Sequence, residues 1–511
     1  MHVGEQMDTS FIFSTVWTNI SNGQIMLMVF VGTFMGLTFG ALPGLTTTMG
    51  IALLVPITYT LSPEVALGMM VGCYVGGISG GAIASILINI PGTSSALVTT
   101  FDGYPMAQNG RGAEALGWAA ISSGVGGLVS WLVLVLFAPL LAKWCTAFSS
   151  PEYAMLTLFG LTMVSSMSDK NLTRGLIAAA IGVFIGSIGM DPVFGTPRMT
   201  FDNINLMGGF QMMPLVIGMY AIPQVLDNCN QKTRKMEKLD LRFKNYIPSL
   251  KRMWDTKFTW AVGSIIGTAI GIIPATGQSL ACFMAYDRVK KWSKHPERFG
   301  KGTHHGVAVA ESANNAVCGG AMVPLLTLGI PGDGITAIML GGFIIHGLQP
   351  GPNFFSEHPD TVVSIFTTML IGTLMMVVIQ LGAIKFFARL LTVPNCYLCA
   401  GIMVVALVGS FALRNNYFDV VCTLVMGGFA YILRKANFPV AALMLGLVLG
   451  RMFELELRTT YRQFGGLSPF VTRPIALLFL IFAVCMVGSC IYAGVKNILA
   501  ETRAARETES I

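Results

Sequence analysis

Gly32-Thr33-Phe34-Met35-Gly36-Leu37-Thr38-Phe39-Gly40-Ala41-Leu42-Pro43 and Gly263-Ser264-Ile265-Ile266-Gly267-Thr268-Ala269-Ile270-Gly271-Ile272-Ile273-Pro274 decide the fold. Gly32, Gly36, Gly40 and Pro43 recur as Gly263, Gly267, Gly271 and Pro274, each 231 residues further on. The chain should therefore be built twice. Glycine at every fourth position strips one helix face to backbone, so that another helix can approach closely in lipid. Proline then stops the helix inside apolar sequence, where the freed backbone groups need partners from protein, water or a ligand. Broken helices at matching places in two halves are the mark of a transporter binding site.

Of the 511 residues, 53% are hydrophobic and 11% charged, and the mean hydropathy is +0.68. This is the composition of an integral membrane protein with roughly a dozen segments near the ~20 apolar residues of a spanning helix. The net charge of +7 lies in short loops between apolar segments, so it reports topology and excludes a nucleic-acid partner. Residues 1–22 hold no Lys or Arg, hence no positive flank of a secretory signal, and the N-terminus should be retained. The ten cysteines are scattered mostly through apolar segments and imply no disulfide framework. Cys396 and Cys399 form one CxxC, but no second pair or nearby His completes a site, so packing is expected.

Loop charge sets the orientation. Residues 231–257 carry nine Lys or Arg against three acids, and residues 288–304 carry six more; both should be cytoplasmic. The apolar stretch 258–287 between them is too short for two spans at about 1.5 Å per residue. A hairpin entering and leaving on one side fits both facts. The equivalent stretch 24–61 is flanked by Glu5, Asp8 and Glu64 and by no basic residue, so that hairpin should open to the other side.

The expected fold is all-α and polytopic: two inverted-topology repeats, each with a re-entrant hairpin and a broken transmembrane helix, about 11 crossings in all. Residues 1–22 form a periplasmic N-terminal segment. Repeat 1 (23–230) holds hairpin 24–61, broken helix 65–101 and spans near 116–142, 152–167, 173–190 and 210–228. A basic linker, 231–257, follows. Repeat 2 (258–450) holds hairpin 258–287, broken helix 305–349 and spans near 362–384, 396–413, 418–433 and 437–450. Residues 451–511 supply an outer loop, a last span near 474–495 and a cytoplasmic tail. Arg111, Lys170, Arg174, Lys385, Arg389, Arg434, Lys435, Lys496, Arg503 and Arg506 then fall inside. The loop 451–473 dissents, with Arg451, Arg458, Arg462 and Arg473 outside; either these arginines pack against protein or a span boundary is misplaced.

Four helix breaks carry the chemistry. The first hairpin turns at Pro43-Gly44-Leu45-Thr46-Thr47-Thr48 and the second at Pro274-Ala275-Thr276-Gly277-Gln278-Ser279. Proline ends one arm, and the next begins with free N–H groups and the positive end of its dipole, which suits a carboxylate; a ligand-free Ser/Thr cap is the plain alternative. The second pair is Asn89-Ile90-Pro91-Gly92-Thr93-Ser94-Ser95 and Gly329-Ile330-Pro331-Gly332-Asp333. There, carbonyls on one side of the break can hold Na⁺, near Asn89, Gly92, Gly329 and Asp333, while helix starts hold the anion; a simple proline kink is the alternative. Upstream, Gly68, Gly72, Gly76 and Gly80 give another bare face, expected to pack against its own hairpin. Asp333 reads equally as a cation ligand, a proton carrier or a helix cap. Asn314 and Asn315 belong to the cavity, whereas Glu311 reads as a solvated helix start. His346 reads as interfacial, and His304 and His305 as parts of the basic loop without a specific role.

The Pro43-Gly44-Leu45-Thr46-Thr47-Thr48 tip, the Asn89-Ile90-Pro91-Gly92-Thr93 break with Phe101-Asp102-Gly103-Tyr104-Pro105 after it, and Gly329-Ile330-Pro331-Gly332 resemble the large membrane subunit of the bacterial tripartite tricarboxylate transporters. The resemblance runs from about residue 20 to 495. It implies a citrate-type carboxylate importer of the inner membrane, working with a small membrane subunit and a periplasmic solute-binding protein. It also implies coupling to Na⁺ or H⁺, no cofactor, and an elevator motion by analogy with other two-hairpin carriers. The second tip has Ala275 where the first has Gly44, so the half-sites are not equivalent. The expected function is secondary transport of a small di- or tricarboxylate. An anion channel would share the hairpins but needs no alternating access. A membrane-embedded enzyme needs a reactive cluster, and no usable spacing supplies one.

Overall fold

The computed structural model describes residues 9–145, 148–163, 172–191, 195–228, 246–274, 277–391 and 393–488. Lys170, residues 231–245 of the basic linker, Ala275, Thr276 and the tail from 489 onward lie outside them. In chain order the principal helices are α1 (Thr9–Ser21), α2 (Gly23–Ala41), α3 (Thr47–Thr58), α4 (Pro63–Ile88), α5 (Leu97–Met106), α6 (Gly112–Cys145), α7 (Ser150–Met163), α8 (Leu172–Gly186) and α9 (Met212–Asn228). There follow α10 (Lys257–Ile272), α11 (Gly277–Trp292), α12 (His304–Leu328), α13 (Gly334–Ile345), α14 (Pro359–Gly382), α15 (Asn395–Ala412), α16 (Tyr417–Lys435) and α17 (Val440–Phe464), and last α18 (Pro474–Gly488). Five helical runs among the described residues are long and apolar enough to cross a membrane, and six shorter apolar helices accompany them. The protein is a multi-pass, helical membrane protein, with one two-residue antiparallel strand pair among the described residues, Gly189–Met190 with Pro197–Arg198.

The chain divides into two compact units, residues 1–145 with 220–423, and residues 146–219 with 424–511. In the first, the glycine faces do what their spacing predicts. Gly32 lies against the Met69 backbone, Gly36 against Cys73 and Gly77, and Gly40 against Gly77 and Gly80. From the other side Gly72, Gly76 and Gly80 meet Val29, Thr33 and Leu37. Helices α2 and α4 thus touch backbone to backbone, and side chains there would hold them apart. Helix α10 lies on α12 in the same way, Gly267 against Ala313 and Gly271 against Val317 and Gly320. Helix α12 packs on α6, and α4 on α14.

Helix boundaries depart from expectation in three places. Residues 9–21, expected only as an N-terminal segment, form helix α1. The second arm of the second hairpin continues to Trp292, so Lys290 and Lys291 stand in its last turn, where cations suit the negative end of the dipole. The third departure resolves the dissenting loop. Residues 451–464 are no loop but the continuation of α17.

In the second unit α17 packs on α8, with Gly446 against the Ala179 backbone and Gly182 against Leu443. Arg458 pairs with Asp191 at 2.6 Å and Glu454 at 2.9 Å, and Arg198 pairs with the same two acids at 3.0 and 2.8 Å. Arg451 donates to the Gly186 carbonyl at 2.9 Å and the Phe210 carbonyl at 3.1 Å. Arg473 pairs with Glu152 at 2.8 Å. Three of the four arginines that dissent from the charge rule, Arg451, Arg458 and Arg473, are held by acids and carbonyls of the protein itself, so they cease to act as free topology determinants.

Candidate functional site

At the first tip, Pro43 ends α2, Gly44 takes φ +84°, and the Leu45 N–H donates to the Leu42 carbonyl at 3.0 Å. Only glycine adopts that φ without strain. Thr46 caps α3, its hydroxyl accepting the Met49 N–H at 3.2 Å. The Gly44 carbonyl accepts from Asn228 Nδ2 at 2.6 Å, so α9 pins the turn. Thr47 is buried and its hydroxyl has no hydrogen-bond partner among the described residues, while Thr48 is half-buried.

The first break starts at Asn89, left-handed at φ 54°. After Pro91, Gly92 packs on the Gly40 carbonyl and Gly81, and its N–H donates to the Gly81 carbonyl at 3.4 Å. Thr93 and Ser95 hydroxyls are 3.1 Å apart. Asn89 and Ser94 are exposed. Helix α5 then starts after Ala96 with no side-chain cap, so its first N–H groups, at the break, lack a capping side chain among the described residues. The Thr47 side chain rests on Gly77 and the Thr93 side chain on Gly81. Four residues apart, those glycines share one face of α4. The first tip and the first break therefore stand side by side.

The second half is built alike and closed differently. Gly277 takes φ 74° after Pro274, and Gln278 and Ser279 are half-buried; Thr276 lies outside the described residues. Helix α12 ends at Gly329, φ 68°, with the Ile330 N–H reaching back to the Pro324 carbonyl at 3.3 Å. Pro331 and Gly332 are buried, Gly332 lying on Ala321. Asp333 forms a capping box with Thr336. One carboxylate oxygen accepts the Ile335 and Thr336 N–H groups at 3.0 and 2.7 Å and the Thr336 hydroxyl at 2.8 Å. The other accepts Tyr74 Oη at 2.5 Å and Gln278 Nε2 at 2.6 Å. Of the three readings open for Asp333, the helix cap is the arrangement present, and its lone pairs are taken up by donors. Gln278 ties the second tip to the second break, and Tyr74 ties α4 of the first half to both.

Asn314 and Asn315 are fully buried. Asn314 Nδ2 donates to the Ile78 carbonyl at 3.4 Å, while Asn314 Oδ1 and both polar atoms of Asn315 have no partner among the described residues. The reading of Glu311 as a solvated helix start is overturned. Glu311 stands two turns into α12 and has no exposed surface. Its carboxylate accepts from the Thr99 hydroxyl and, at 3.1 Å, from the Ser123 hydroxyl.

Tyr74, Asn228, Thr99 and Ser123 escaped the sequence reading, because the partner of each lies far along the chain and no spacing joins the two. His346, at the end of α13, reaches the Thr58 hydroxyl at 3.3 Å. His304 and His305, expected to be idle, stack on Trp118 and meet the Thr259 hydroxyl at 2.9 Å respectively. Cys396 and Cys399 are free thiols, the second buried. A cavity of about 900 Å³ lies beside the basic loop, lined by Arg111, Lys294, Arg298 and Lys301 among others, and another of about 610 Å³ lies between α1, α6 and α14. Neither includes a tip or break residue, so the site rests on the hairpin geometry.

A family profile described as the tripartite tricarboxylate transporter TctA family matches residues 26–445. A protein of Agrobacterium vitis described as an uncharacterized 52.8 kDa protein in the TAR-I ttuC' 3' region is 36% identical over 472 residues, 91% of this chain and 92% of its own length. A second from the same organism, described as an uncharacterized protein in the TAR-II ttuC' 3' region, is 39% identical over 211 residues, 41% of this chain and 87% of its own. No solved structure matches the chain.

Proposed function

Because the chain belongs to the tripartite tricarboxylate transporter TctA family, we propose that it is the permease through which a small, citrate-like di- or tricarboxylate enters across the bacterial inner membrane. It is a membrane transporter subunit and not an enzyme, and its family works with a small membrane subunit and a periplasmic binding protein. The finer reading is import driven by a Na⁺ or H⁺ gradient, with the two halves as inverted repeats and the hairpins re-entrant. The hairpin-bearing elements would move as an elevator. Matched packing of α2 on α4 and α10 on α12 supports the repeat.

One observation carries the substrate site: the Thr47 and Thr93 side chains rest against one face of α4, beside the uncapped start of α5. Hydroxyls and N–H groups can there hold a carboxylate without a buried cation, and a neutral dipolar site releases its ligand more readily than an ion pair would. The saturated Asp333 leaves the second half less suited to an anion. Thr47→Ala and Thr93→Ala should each raise the half-saturating substrate concentration about tenfold, taking about 1.5 kcal/mol for a hydrogen bond to a charged group. The amount of protein in the membrane should stay unchanged. The measurement is radiolabelled citrate uptake into vesicles carrying the partner subunits, with Na⁺ and pH gradients imposed separately. Unchanged uptake in both variants, or a steady current linear in voltage, would overturn the reading.

A further inference from the structure

We propose that Glu311 is the centre of a Na⁺ site formed with Thr99, Ser123, Asn314 and Asn315, away from the Asp333 break; this rests on the cation-coupled reading above.

Two of the carboxylates buried in the broken helices, Asp333 and Glu311, contrast. Asp333 accepts from two N–H groups, two hydroxyls and an amide, and a cation would have to displace those donors. Glu311 accepts from two hydroxyls, with the Asn314 amide in reach. Hydroxyl and amide oxygens keep lone pairs that can face a metal ion. No Lys, Arg or His pairs with Glu311 among the described residues. The titratable groups around it are the thiol of Cys282 on α11 and, three residues beyond Thr99 on α5, Asp102, which is occupied by its own donors.

A carboxylate at membrane depth without a counter-charge is costly. A proton would remove the charge, but its single O–H could answer only one of the two amide oxygens, Asn314 Oδ1 and Asn315 Oδ1, that lack a partner among the described residues. Asn315 stands one turn from Glu311, on the same face of α12. A small hard cation takes oxygens of this kind together. Among the described residues no cluster of three His, Cys, Asp or Glu side chains could hold a transition metal. The ligands come from α5, α6 and α12, so occupancy would tie the first broken helix to the second.

The test is thermal unfolding of the purified full-length protein, with Na⁺ exchanged for choline at constant pH and ionic strength and no carboxylate present. Wild type should gain stability with saturation, as a ligand of the folded state requires. Glu311→Gln and Asn315→Ala should need about tenfold more Na⁺ for half the effect. Thr47→Ala should respond like wild type while its uptake falls, which separates this proposal from the substrate site. Asn315→Ala and Thr99→Val carry the test if Glu311→Gln does not fold. A wild-type shift that tracks pH and not Na⁺, no shift at all, or undiminished Na⁺ response in the variants would overturn the proposal.

Discussion

Valine at Gly36, or at its counterpart Gly267, should reduce the folded protein recovered from membranes by tenfold or more. A Cβ at Gly36 meets the Cys73 carbonyl and the Gly77 nitrogen, and one at Gly267 meets the Ala313 carbonyl. These are backbone atoms of α4 and α12, so no rotamer change relieves the clash. Ordinary overpacking costs about 1–3 kcal/mol; a clash against main chain belongs at or above the upper end. With total stability of about 5–15 kcal/mol, 3 kcal/mol shifts the folded ratio by more than a hundredfold. The readout is the monodisperse peak of detergent-extracted protein carrying a fluorescent tag. Gly401→Val is the control, because Gly401 is exposed and has open space where a Cβ would stand. A normal peak for both Gly36→Val and Gly267→Val would show that these helices tolerate separation and that glycine spacing is not what joins them.

That outcome depends on the feature most legible in the sequence. Period-four glycine declares a close helix approach without naming the partner, and here each partner lies within about fifty residues, so chain proximity supplied it. The tips were legible for the same local reason: Pro43, Gly44 and Thr46 act on backbone within four residues. Helix α17 was not. Its charged half, Arg451 to Arg462, reads as a loop because hydropathy falls, yet Asp191 and Glu454 answer Arg458, and the Gly186 and Phe210 carbonyls answer Arg451. Hydropathy measures exposure to solvent, and it fails where charges are satisfied inside the protein.

The polar interior was less legible still. Glu311 lies early in an apolar run, where solvation is the ordinary explanation, and its hydroxyl partners Thr99 and Ser123 stand about two hundred residues upstream. Tyr74 meets Asp333 across a still longer stretch of chain. Single hydroxyls in apolar helices carry no periodic signal, because their own helix satisfies most of them, as the Thr33 hydroxyl is satisfied by the Val29 carbonyl. What tells the exceptions apart is a facing helix, which spacing cannot supply.

Asp102→Ala should destabilise the protein by roughly 2–6 kcal/mol and abolish uptake. Asp102 entered the sequence reading only through a resemblance, within Phe101-Asp102-Gly103-Tyr104-Pro105. In the fold it has no exposed surface. One oxygen accepts the N–H groups of Gly300, Gly302 and Thr303 at 3.0, 2.9 and 2.9 Å, and the other accepts the Tyr286 hydroxyl at 2.7 Å. The carboxylate thereby fastens α5 to the end of the second hairpin and to the loop from which α12 starts. Alanine orphans four donors, two of them in fully buried bonds, at roughly 1–3 kcal/mol for each buried one. Asp102→Asn keeps one oxygen for the three N–H groups and can turn its amide toward the Tyr286 oxygen, losing chiefly the charge assistance. It should therefore fall between wild type and Asp102→Ala in melting temperature, with uptake partly retained. Equal loss in both variants would mean that charge at Asp102, and not the geometry of its acceptors, holds the loop. Wild-type stability in Asp102→Ala would mean that the hairpin and α12 are positioned by the glycine contacts of α10 alone.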